Sequence, residues 1–199
     1  MHGRILAIRG ISFFLVFFVA SAFPAGVSGN ACDATAKPVD GLGSSEPLEG
    51  IELRVNPQLS VSVPDAPSRL VHNNVVMILD YEGEARIAFR EVTRSELDPA
   101  IGDTTVSQFL EWAFKTPDDE LPSHEAGEFA REYASGLCAQ ELKFLTRGKA
   151  TIFAGIQEGG ARVAIIANED DDHGFMHLST RKLDEGTFGR LLESIERRK

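Results

Sequence analysis

The stretch Asn168-Glu-Asp-Asp-Asp-His-Gly-Phe-Met-His177 sets four consecutive acids, Glu169 to Asp172, ahead of His173 and His177. Carboxylates and imidazoles are what calcium and zinc bind, so Asp170, Asp172, His173 and His177 form a metal-ligand candidate set. The spacing suits neither ion. Counted from Asp170, Gly174 is fifth and Arg181 twelfth, where a calcium loop of the EF-hand kind needs glycine sixth and a bidentate glutamate twelfth. His173 and His177 share a face of a strand only if that strand is regular, and Gly174 interrupts it. The same residues have the composition of a hairpin turn in water, with Asn, Asp and Gly where such a loop wants them. The turn reading takes precedence, and calcium or zinc is its alternative.

His124-Glu125-Ala126-Gly127-Glu128 comes within one residue of the zinc-protease HExxH pattern. Glu128 stands where the second histidine would be, and without that ligand the pattern loses its force. Acids in the first turn of a helix, where they favour its dipole, account for the same residues. No Gly-x-Ser-x-Gly elbow, Cys-x-x-Cys pair or phosphate-binding glycine loop occurs. Gly41-Leu42-Gly43 lacks the third glycine and the preceding strand of a dinucleotide site. No catalytic residue is therefore nominated. Trp112, the only tryptophan, falls away from the centre of its helix's apolar stripe. It is a candidate partner contact, against the plainer reading that it covers the edge of the core.

The elements that must position these groups are legible from their periods. Leu59, Val61 and Val63 alternate with serines and predict a strand with one buried face. The apolar run 75–81 predicts a strand in the middle of a sheet, and 85–92 alternates Ile87 and Phe89 inward with Arg86 and Arg90 outward, closing a hairpin. A helix capped by Asp103 follows, with Val106, Phe109, Leu110 and Ala113 on its apolar side. Ser123 caps a second, striped by Phe129, Ala130, Tyr133 and Leu137. Four strands, 142–145, 150–156, 161–167 and 175–179, form a meander. Asp184 then caps a last helix, with Leu183 and Phe188 as a hydrophobic staple, Leu191, Leu192 and Ile195 on its inner face, and Arg197, Arg198 and Lys199 at its C-terminus. The expected fold class is α+β: an antiparallel sheet of six to seven strands with helices packed on its faces, closed by the C-terminal helix.

The first residues are of another kind. Arg4 and Arg9 precede the apolar Ile11–Ala20, and small residues run from Ser21 to Ala31. That order predicts a signal peptide over 1–31, cleaved near Val27-Ser28-Gly29 or Gly29-Asn30-Ala31, and a periplasmic or secreted location. The alternative is an uncleaved anchor, in which case the signal segment is the chain's only contact with the membrane. Residues 32–50, rich in Gly and Pro, read as a flexible N-terminal arm, and 51–199 as a single α+β domain. Cys32 and Cys138 are the only cysteines. Both enter an oxidising compartment, so a disulfide between them is expected. The formal charge is −10 and becomes −12 without Arg4 and Arg9. This repels nucleic acid and anionic lipid.

The closing segment 151–195, "TIFAGIQEGGARVAIIANEDDDHGFMHLSTRKLDEGTFGRLLESI", resembles the end of small exported PsbP/Mog1/DcrB-like domains. The resemblance implies a meander crossed by one helix and a largely non-enzymatic role. It covers 51–199 as a pattern, and the helical insert 103–137 departs from it. The expectation is an exported, non-catalytic protein that recognises another protein, as an accessory, inhibitor or immunity factor does. Two alternatives stand beside it. One is a metal-dependent or hydrolytic envelope enzyme using His124, Glu125, Glu128 or the 170–177 region. The other is a module binding a small hydrophobic ligand.

Overall fold

The structure is a computed structural model and describes residues 35–41, 48–55, 59–73, 75–168 and 172–197, with side chains through 195. Six strands come first, β1 (Lys37–Pro38), β2 (Ile51–Arg54), β3 (Leu59–Val63), β4 (Arg69–His72), β5 (Val76–Asp80) and β6 (Arg86–Thr93). Three helices follow, α1 (Arg94–Ile101), α2 (Val106–Phe114) and α3 (Glu125–Leu137). The chain then runs through β7 (Ala139–Arg147), β8 (Ala150–Gln157), β9 (Arg162–Asn168), β10 (Gly174–Arg181), α4 (Glu185–Glu193) and β11 (Glu196–Arg197).

The fold is α+β. The main sheet is wider than the six to seven strands expected and is mixed: eight strands in the order β1-β7-β8-β9-β10-β6-β5-β4. All neighbours are antiparallel except β1, which lies parallel to β7. The two additions sit at the two edges. Lys37–Pro38, inside the segment read as an arm, covers the outer edge of β7, and its proline is acceptable there because an edge strand has one side free of ladder bonds. At the other edge β4 pairs with β5 through Leu70–Leu79 and Val71–Ile78. A smaller sheet, β11-β3-β2, stands apart.

The main sheet is covered on both sides, which is why β8 and β9 read as unbroken apolar runs. Phe153, Val163, Ile165 and Phe175 point into a core shared with α1, α2 and α3. Ile152, Ala164, Ile166, Leu178 and Ile87 point the other way, against β3 and Phe188, Leu191 and Leu192 of α4. An aromatic cluster fastens the helices: Tyr133 meets Phe109 at 5.5 Å, Phe114 at 6.1 Å and Phe175 at 5.8 Å between ring centroids.

Several elements depart from the sequence pattern. The strand over 75–81 does not lie mid-sheet; it sits beside the edge strand, and only its Leu79 is fully buried. Ser60 is buried as well as Leu59 and Val61, because β3 is flanked by β2 and β11. The cap of α2 is Thr105, whose hydroxyl accepts from Gln108 N at 3.1 Å, rather than Asp103. The N-cap of α3 is His124, one residue past Ser123. Helix α4 begins as expected, with the Asp184 carboxylate accepting from Thr187 N at 2.9 Å; hydrogen bonding by the Thr187 side chain, and then by its backbone N–H, holds the carboxyl below the usual range. It stops at Glu193, though, and Glu196–Arg197 turns into a strand beside Ser60 and Leu59 instead of prolonging the helix.

Candidate functional site

Of the four acids, Asp172 is the one among the described residues. One carboxylate oxygen accepts the backbone N–H of Val106, the first residue of α2, at 2.5 Å. The other accepts from the Arg94 guanidinium at 2.8 Å. Arg94 also pairs with Asp98 and donates to the carbonyls of Thr104 at 2.7 Å and Gly102 at 2.5 Å. Its own backbone N–H bonds the His173 carbonyl at 2.5 Å. One arginine and one aspartate thus tie the β9–β10 turn to the connection between α1 and α2. The carboxylate sits at the positive end of α2, where an anion is favoured.

Of the other proposed metal ligands, the two described histidines lie apart. Asp170 lies outside the described residues. His173 is exposed in the turn, while His177 sits on β10 facing the helices. Gly174 between them has φ 153° and lies opposite Thr93. A Cβ at this glycine would stand 2.1 Å from the Val92 carbonyl oxygen, so only glycine lets β10 approach β6 here. Among the described residues no three His, Cys, Asp or Glu side chains converge on a metal position.

His177 has its own environment. Its cross-strand neighbours are Arg90 on β6 and Ile165 on β9. Burial, and then the positive charge of Arg90, push its pKa down to about 4, so the ring is neutral near pH 7. Its Nε2 is buried with no hydrogen-bond partner among the described residues. Arg90 itself turns outward to Glu96 at 2.7 Å. In the aromatic cluster, burial raises the pKa of the Tyr133 phenol, which Arg90 partly offsets.

The α1–α2 connection that Arg94 and Asp172 pin down forms one wall of an open cleft of about 650 Å³. Gly102, Asp103 and Thr104 stand on that wall, Gln108 and Trp112 come from α2, and His124 and Glu125 from the start of α3. The Trp112 and His124 rings meet edge to face at 5.3 Å. Trp112 is half-buried: its inner side packs on the helical core while the residue lines the cleft. Gly127 lets the start of α3 lie against the preceding loop, since a Cβ there would meet the Pro122 carbonyl oxygen at 2.1 Å.

The acid–base groups nominated in the sequence divide between places. His124 and Glu125 line the cleft, whereas Glu128, Asp172, His173 and His177 do not. Cys138 ends α3 in a left-handed conformation, φ 44°, and is not a free thiol. Cys32 lies outside the described residues, as does all of 1–31. Among the described residues no helix is long and apolar enough to cross a membrane. Comparison with family models, with curated proteins and with solved structures finds no match.

Proposed function

We propose that the chain is an exported, non-catalytic binding protein that recognises another protein in an accessory, inhibitor or immunity-type role. The observation that carries this reading is Trp112 in the open cleft, with His124 against its edge. A rigid aromatic side chain with its inner side anchored in the core offers contact area at little entropic cost, the pattern of an interface anchor. The cleft's polar groups, Asp103, Thr104 and Gln108, supply a rim that can satisfy hydrogen bonds. A hydrolytic or metal-dependent reading has less support, because the cleft brings His124 and Glu125 together without Glu128 or the 170–177 acids. A small apolar ligand has little room between α2 and the sheet: the gap lined by Leu110, Lys115 and Phe153 holds about 20 Å³, roughly one water.

The signal peptide over 1–31, the periplasmic or secreted location and the Cys32–Cys138 bridge belong to the same proposal. So does the PsbP-like resemblance, which rests on the meander and its crossing helix. Native mass spectrometry on protein taken from its own cell envelope tests the whole: the expected spectrum shows a processed, oxidised chain with a second protein retained. Trp112→Ala should lose that companion while keeping its far-ultraviolet circular dichroism. A companion held equally by the variant removes Trp112 from the reading, and a retained metal with no companion replaces the reading with the enzymatic one.

A further inference from the structure

The two edges of the main sheet are treated differently. The β7 edge is covered by β1, whereas among the described residues nothing pairs with the outer edge of β4. An open edge strand is a template for another strand. The Asn73 N–H bonds the Val76 carbonyl at 2.9 Å. Antiparallel strands alternate the direction of their backbone groups, so Arg69 and Val71 face β5 while Leu70 and His72 turn their N–H and C=O outward. Leu70 is 53% exposed and Val71 37%, on opposite faces of the strand, so the edge is apolar on both sides.

Beside this edge lies a charged row. Arg181, Arg86, Asp80 and Arg69 are successive cross-strand partners on β10, β6, β5 and β4. Asp80 is taken by Arg86 at 2.6 Å. Arg69 and Arg181 are exposed; Arg69 has no ion-pair partner among the described residues, while the charge of Arg181 acts on the Glu84 carboxyl. The next row, Val71, Ile78, Ala88 and Ser179, makes an apolar to small floor that no helix fully covers. On a chain of net charge −10 this is a local reversal of sign.

We propose that the free edge of β4, with the arginine row beside it, accepts an extended acidic segment of another protein as an added strand. Backbone bonds to Leu70 and His72 supply the pairing. On the arginine face the incoming strand carries an acid opposite Arg69 and an apolar residue opposite Val71. On the other face it sets an apolar residue against Leu70. A second copy of the chain is a poor occupant, because it would bring another Arg69 to the same edge. The proposal shares with the previous reading only the kind of partner, not the Trp112 cleft.

The probe is a short labelled peptide whose strand sets glutamate, valine and valine against Arg69, Leu70 and Val71, with lysine in place of glutamate in its charge-reversed control, followed by fluorescence anisotropy. The expected result is binding of the glutamate peptide alone, weakening with salt. Arg69→Glu with Arg181→Glu should lower affinity by about tenfold or more. Leu70→Pro removes one outward N–H without touching a charge and should do the same, while Trp112→Ala binds as wild type; each variant is first checked for an unchanged melting temperature. Should Leu70→Pro unfold the chain, methylating the peptide's own amides tests the backbone pairing instead. Equal binding of both peptides, indifference to the arginine reversals, or loss only in Trp112→Ala would each overturn the proposal. Self-association that Leu70→Pro abolishes, with no peptide bound, would assign the edge to a second copy and overturn it too.

Discussion

At the scale of single residues, Asp172 and His177 show how differently two members of one short stretch are used. Asp172 is consumed by Arg94 and the start of α2. Asp172→Ala should therefore cost about 1–2 kcal/mol, measured by urea denaturation, because a helix start loses its acceptor and Arg94 an ion-pair partner. The same variant should alter Trp112 fluorescence, since it releases the cleft wall. His177 bears on pH. The unfolded ring titrates near 6.5 and the folded one at about 4, so between those values the unfolded chain binds a proton that the folded chain refuses. Stability then falls as pH drops through that window, by on the order of 3 kcal/mol in full. His177→Leu should flatten this part of the profile, seen as a smaller difference between melting temperatures at pH 7 and pH 4.5. Because Nε2 has no partner to lose among the described residues, the change should be neutral or mildly stabilising at neutral pH.

Among elements, the β6–β10 pairing depends on Gly174. Gly174→Ala places a methyl against the Val92 carbonyl at a φ that L-residues avoid. It should destabilise by about 3 kcal/mol in chemical denaturation, with backbone shifts concentrated at Thr93 and His173. The four-strand meander and α4 were legible because their apolar periods are long and Asp184 is a strong cap. Helix α1 was not anticipated. Thr93 and Glu96 form a capping box, a signal present in the sequence, but Pro99 inside so short a segment argues against a helix. Strand β4 escaped notice because Leu70 and Val71 sit between Arg69 and His72 on an exposed edge, where burial imposes no alternation. Strand β1 is two residues long and contains a proline. The cleft could not be read at all. Its Trp112 and His124 meet through the packing of α2 on α3, which no local period encodes.

For the whole molecule, the proposed Cys32–Cys138 bridge would join the residues before β1 to the turn between α3 and β7. A non-reducing digest should contain one linked peptide pair that reduction splits, and reduction should cost on the order of 4 kcal/mol in the chain-entropy picture. Identical maps with and without reductant would remove the bridge. The layering has a further consequence, in the order of folding. The sheet face bearing Ile87, Ile152, Ile166 and Leu178 is covered by β3 together with α4, and β3 is itself paired by Glu196–Arg197. A nascent chain can assemble the meander and its three helices before Glu185 is made, but it leaves that second face open to water. Closure of that face thus waits for the segment 185–197.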